Sequence, residues 1–261
     1  ASIVFVYGFL TLQDAISENL MGTLIKIVAA IGLLGLGYVI FKGTNGSEEW
    51  SRVSAIFIFA IANIFFWSGF EQAGGTFNLF AADETDRMIG DTEIAASLFQ
   101  SINALAIFIF APLLASFWVA LATRNKNPST PSKFGWGLTL LALGFVVMSF
   151  ASFAAEGEAL VSPLWLVGVY VIHTFGELCL SPIGLSMITK LAPPKIVSVM
   201  MGLWFASMAL ANYMAGIMES LLEGIFPDMN LFVFLTITSG IGGLMMFALT
   251  PVLKKVMKGI H

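Results

Sequence analysis

His173, Glu177 and Ser181 place an imidazole, a carboxyl and a hydroxyl at i, i+4 and i+8, which on a helix puts them in one stripe. Acyl transfer uses that trio, but its base must come within about 3 Å of the nucleophile. On a helix rising 1.5 Å per residue, His173 and Ser181 stand about 12 Å apart along the axis, so no triad forms within this segment. What remains is a carboxyl with polar neighbours. Glu177 is the sole Asp, Glu, Lys or Arg from Ala159 to Ile188, and a charge at the centre of a bilayer costs at least about 2.5 to 3.5 kcal/mol. Two roles suit it: alternate binding of a proton and an ammonium group, or a structural hydrogen bond. For Ser181 the alternatives are orienting Glu177 or a ligand, and gluing two helices. For His173 they are a packed or water-bridged ring and a proton relay.

Depth groups further candidates with Glu177. At 1.5 Å per residue Glu177 lies roughly 20 Å from both Pro163 and Lys190, which is the midplane of its segment. Asn103 is about 15 Å from Glu93 and Trp204 about 14 Å from Lys195 on the same rise. Asn103 either lines a cavity or bonds to a neighbouring helix, and Trp204 is expected to line a cavity. Asn63, Trp67 and Glu71 form a second i, i+4, i+8 set. Glu71 is roughly 28 Å from Arg52, near the outer mouth, where it is a solvated residue or a gate. Trp67 beside it belongs to an aromatic belt or to the site. Ser207, Ala211 and Ala215 have the small-xxx-small spacing of closely packed helices.

The elements able to hold these groups follow from composition. The chain of 261 residues is 58% hydrophobic and 11% charged, with a mean hydropathy of +0.91, whereas a soluble domain carries about 25% charge. Several apolar runs reach the roughly 20 residues of a spanning helix, and none alternates like a barrel strand. The fold class is therefore all-α integral membrane, with lipid as a necessary partner. Seven spans are expected at about 20 to 41, 50 to 80, 96 to 122, 134 to 154, 163 to 191, 197 to 222 and 229 to 253. Residues 1 to about 12, apolar but too short to span, are expected to be the tail of a helix that starts earlier. Pro112 and Pro182 each free a carbonyl one turn back, those of Phe108 and Leu178, for a kink or a polar partner.

Charge gives the orientation. Lys42 and Arg52, then Arg124, Lys126 and Lys133, then Lys190 and Lys195, then Lys254, Lys255 and Lys258 fall on one side of the predicted spans. The other side carries Asp14 and Glu18, the acidic run from Asp83 to Glu93 with Arg87 its lone base, Glu156, Glu158, Glu223 and Asp228. The basic side and the C-terminus are expected in the cytoplasm. The formal charge of −4 comes from the outer loops, and no nucleic-acid partner is expected. A single cysteine, Cys179, supplies neither a disulfide framework nor a metal-ligand set, so no metal is expected.

Three stretches together carry a resemblance: "FFWSGFEQAGGTFNLFA" (Phe65 to Ala81), "FQSINALAIFIFAPLLA" (Phe99 to Ala115) and "GELCLSPIGLSMITKLAP" (Gly176 to Pro193). They resemble the C-terminal half of bacterial proton-dependent oligopeptide transporters, a branch of the major facilitator superfamily, and the likeness covers nearly the whole chain. It implies a C-terminal six-helix bundle over 48–261, and over 1–47 the end of a helix pair inserted between the halves. It also implies a bacterial inner membrane location, a site between the two halves, and alternating access as they rock.

By the same resemblance Glu177 and Asn103 meet a peptide amino terminus. Ser181 lines that region, Trp204 walls a side-chain pocket, and Glu71, with Trp67 close by, forms a gate with an arginine of an N-terminal half. Glu177, Glu71 and His173 are the proton-coupling candidates, with protons as the coupling ion and no other cofactor. The partners implied are di- and tripeptides and that N-terminal half, without which transport is not expected. One departure is Ala104, where the family has proline, so the local kink there is not assured.

Four functions compete: proton-coupled peptide symport, the same scaffold carrying another small solute such as nitrate, a membrane-embedded enzyme, and a structural membrane subunit. The failed triad, the absent metal set and the lack of a glycine-rich phosphate loop weigh against an enzyme. A structural subunit would need Glu177 satisfied within the bundle and out of reach of water.

Overall fold

The computed structural model describes residues 18–157 and 160–257, with side chains from residue 31 onward. The expected tail at 1 to 12 lies outside these residues, as do Asp14, Glu158 and Lys258. Eight α-helices are described: α1 (Glu18–Gly43), α2 (Gly46–Phe70), α3 (Thr76–Asp83), α4 (Ser101–Thr123), α5 (Thr130–Ala155), α6 (Leu164–Leu191), α7 (Val197–Ile225) and α8 (Leu231–Val256). Six helical stretches among the described residues are long and apolar enough to cross a bilayer. They match the six expected spans from Trp50 onward, and α1 is helical over the seventh. The protein is a multi-pass helical membrane protein.

Local chemistry sets the helix ends. Asn230 caps α8 by accepting the Phe232 N–H through Oδ1 at 2.9 Å. Pro131 stands in the first turn of α5, where its missing N–H costs nothing. The expected span at 50 to 80 is two pieces. After Phe70 the chain tightens into a 3₁₀ turn, Glu71–Ala73, passes Gly74 and Gly75, and restarts as α3. The Gln72 side chain donates to the Ser68 carbonyl at 3.3 Å, and the two glycines disfavour continuing the helix. Pro112 and Pro182 lie inside unbroken helices, and α4 also runs through Ala104 without interruption.

The core sits where α5 lies against α6 and α8 and where α2 lies against α7 and α8. Phe59, Phe66, Phe77, Phe134, Phe145, Leu138, Leu141 and Leu180 are fully buried there. Gly137 and Gly176 bring α5 and α6 together: a methyl group on Gly176 would come within 2.9 Å of the Gly137 carbonyl. That close crossing fixes α6 one residue before Glu177. On α7, Ser207 and Ala211 are buried against α2, as the small-residue spacing predicts. Helix α4 differs from the rest. It packs chiefly on α6, and Ala106 is its one buried residue.

Outside the bundle a hairpin pairs β1 (Met88–Ile89) with β2 (Thr92–Glu93) around Gly90, whose φ of +61° suits the tight turn. Arg87 holds its base by pairing with Glu93 at 2.6 Å and donating to the Ile94 carbonyl at 2.7 Å. The Val161 N–H donates to the Glu84 carbonyl at 2.8 Å, tying this loop to the α5–α6 connection.

Candidate functional site

Glu177 and Asn103 meet across the α4–α6 contact. The Asn103 Nδ2 donates to Glu177 Oε2 at 2.9 Å and to Thr174 Oγ1 at 3.0 Å. A carboxylate only accepts, so the amide must turn its NH₂ toward it. The Thr174 hydroxyl spends its proton on the Tyr170 carbonyl at 2.7 Å, which leaves its oxygen to receive Asn103. Glu177 Oε1 and Asn103 Oδ1 make no hydrogen bond among the described residues, and both residues are partly buried. The result is two uncommitted acceptor oxygens, one of them the carboxylate's own, an arrangement chemically able to receive a group with several N–H donors and a positive charge.

Thr174 was not predicted as a site residue. Its signal was its place three residues before Glu177, on the same helix face. Tyr170, one turn earlier, donates through its hydroxyl to the Ala73 carbonyl at 3.2 Å and so ties α6 to the turn that carries Glu71.

His173 does not join this group. It is 2% exposed, its Nε2 pairs with the Leu141 carbonyl at 3.1 Å, and its ring contacts those of Phe70, Phe77 and Phe145 at 6.2, 5.7 and 4.9 Å. Its ring fills the space a side chain at Gly144 would take. The i, i+4, i+8 stripe therefore fails to gather its members. At about 100° per residue His173 and Thr174 flank Glu177 on opposite sides, by about 40° and about 60°: the His173 side meets α5, and the Thr174 side shares Asn103 of α4 with Glu177. Ser181 Oγ is buried with no partner among the described residues and makes no bond to Glu177.

The second set separates likewise. Asn63 is fully buried and donates to Ser207 Oγ at 2.9 Å. Trp67 is half-buried, with its ring 5.7 Å from that of Phe66 and 5.2 Å from that of Phe70. Glu71 opens the 3₁₀ turn, partly buried, and its carboxylate makes no hydrogen bond or ion pair among the described residues. Trp204, expected to line a cavity, is 4% exposed and packs edge-on to Phe134, in the space a side chain at Gly184 would need. No cluster of three or more metal-ligating residues occurs among the described residues.

Known proteins resemble this chain in sequence and in fold. The chain is 41% identical over 221 residues to the peptide transporter YePEPT of Yersinia enterocolitica, covering 83% of this chain and 43% of that protein. It is 37% identical to the uncharacterized transporter YclF of Bacillus subtilis, covering 97% of this chain and 50% of YclF. The chain thus spans about half the length of the curated relatives it matches. A crystal structure of a peptide transporter POT in complex with sulfate superposes with a TM-score of 0.80 at 31% identity, over 99% of this chain and 52% of that one. A POT family transporter in complex with a thioalcohol-conjugated peptide gives 0.79 at 28% identity, over 97% of this chain and 52% of that one. The POT family model, PTR2, matches residues 10–230, a region that holds five of the six spanning helices and the intramembrane carboxylate Glu177, and the chain belongs to the POT family.

Proposed function

We propose that this chain forms the C-terminal half of a proton-coupled symporter of di- and tripeptides, working with an N-terminal half by alternating access. The observation that carries the reading is the Asn103–Glu177 pair, which leaves two acceptor oxygens open at the membrane midplane. A peptide ammonium offers three donors and one positive charge, matching that pair. Protonation of Glu177 removes the attraction, and an inward proton gradient then shifts the balance between outward and inward states. Ser181 lines the same region, and Trp204 backs a side-chain pocket from behind Gly184. Trp67 flanks Glu71, which pairs as an outer gate with an arginine of the N-terminal half. His173, enclosed in aromatic rings, has no part in the proton path.

Nitrate fits poorly, because an anion gains nothing beside a carboxylate. An amine-bearing solute other than a peptide suits the same oxygens. A POT family structure at 27% identity and a TM-score of 0.77 holds 5-aminolevulinic acid, which favours keeping that second reading. The alternation of basic and acidic connections supports a cytoplasmic C-terminus, and the bacterial relatives support the bacterial cytoplasmic membrane.

The test is uptake of labelled dialanine by liposomes holding the complete transporter, with and without an inward proton gradient. Accumulation driven by the gradient is expected. Its absence from correctly oriented, folded protein overturns the peptide reading, and competition by unlabelled amines then separates the second one.

A further inference from the structure

Away from the Glu177 site, an open cavity of about 350 Å³ lies between α4, α5 and α6, toward the end of α4 that carries Arg124 and Lys126. Its walls include Phe117, Trp118, Trp136, Leu140 and Phe175. Two features set it apart from the other apolar grooves of the bundle. The Trp118 Nε1–H is buried and has no hydrogen-bond partner among the described residues, a costly state for a donor that a turn of the partly exposed Trp118 ring toward the groove, bringing Nε1 to an acceptor there, would relieve. At the same ring, Lys133 places its Nζ 4.6 Å from the centroid and makes no ion pair among the described residues. Arg124 and Lys126, exposed in the neighbouring connection, add positive charge without an acidic partner there.

We propose that this groove binds one anionic phospholipid. An acyl chain lies on the apolar walls, an ester carbonyl accepts from Trp118 Nε1, and the phosphate sits at Lys133 within the field of Arg124 and Lys126. A free anion would use only the rim, and a zwitterionic lipid would bring its own ammonium group into the cluster of Lys133, Arg124 and Lys126. The anionic amphiphile alone satisfies wall, donor and charge together. The proposal needs the spans to lie in a bilayer but does not depend on peptide transport, so the two readings fail separately.

The test is native mass spectrometry of the detergent-purified complete transporter titrated with phosphatidylglycerol or phosphatidylcholine. Phosphatidylglycerol is expected to bind at least about fivefold tighter, the scale of one lysine at a membrane surface. Lys133→Gln should bring the two lipids within about twofold, and Trp118→Phe should weaken both by a common factor. Leu140→Trp, which fills the groove, should abolish the adduct, whereas Leu113→Trp on the exposed side of α4 should keep it. Both tryptophan variants are compared at matched monodispersity and melting temperature. Equal affinity for the two lipids in the wild type overturns the proposal. So does an adduct that survives Leu140→Trp, or a wild type with no adduct because another segment of the transporter fills the groove.

Discussion

On the side of α6 facing α5, His173 is enclosed by phenylalanine rings and spends its Nε2 on the Leu141 carbonyl. On the side facing α4, Glu177 receives one amide from Asn103 and keeps an oxygen uncommitted. Both residues are titratable, both lie at depth, and they are one helical turn apart. The difference comes from the neighbours. Helix α5 offers Gly144 as a notch and Leu141 as an acceptor, so the imidazole is fully accommodated. Helix α4 is almost unburied and offers one amide, so the carboxylate is oriented but not consumed. A polar group in a membrane helix is a candidate for function when its partners leave capacity unused.

That contrast can be broken at either side. The largest effect is expected at Glu177→Gln, which keeps size and hydrogen bonding but removes the charge. Losing one partner of a buried charge pair costs about 2 to 5 kcal/mol, so gradient-driven dialanine uptake should fall at least about 30-fold with expression and melting temperature unchanged. Wild-type uptake in this variant would end the role assigned to Glu177.

Asn103→Ala should come next. A hydrogen bond to a charged group is worth about 1.5 to 3 kcal/mol, so the apparent peptide affinity should weaken by about tenfold or more. Competition uptake would measure it. An unchanged affinity would mean that Glu177 is positioned by α6 alone.

Gly176→Val probes the closed side through stability rather than uptake. Its side chain would press on the Gly137 carbonyl at the α5–α6 crossing, and overpacking of this kind costs about 1 to 3 kcal/mol. A lowered melting temperature in detergent is the expected readout, and an unchanged one would mean that the two backbones separate freely.

The smallest effect is expected at His173→Gln, which retains a donor for Leu141. Uptake should stay within about twofold, well below the tenfold that 1.4 kcal/mol would produce. A collapse of gradient-driven uptake with peptide exchange intact would instead restore His173 as a proton relay and erase the contrast between the two flanks.

Much of the protein was legible before any coordinates. Apolar runs of spanning length fixed six helices to within a few residues, because in lipid the backbone has no alternative to internal hydrogen bonding. The lone Glu177 stood out because charge is rare at that depth. The break after Phe70 was missed, since Gln72 acts there by bonding Ser68, a competition that hydropathy does not register. The stripes of polar residues were misleading because spacing along one helix does not say what the next helix presents: His173 meets Leu141 and Gly144 of α5, Glu177 meets Asn103 of α4, and Ser181 Oγ meets no partner among the described residues.

The sequence alone determined the solvent, the number and length of the spans from Trp50 onward, and the few residues at depth that can carry charge, because each follows from local composition and a fixed rise per residue. Only the tertiary structure decided which of those residues remain available. Whether a buried polar atom is consumed depends on what the next helix presents, here Leu141 and Gly144 opposite His173 and Asn103 opposite Glu177. Those partners lie 29 to 74 residues away along the chain, at separations that no local periodicity encodes.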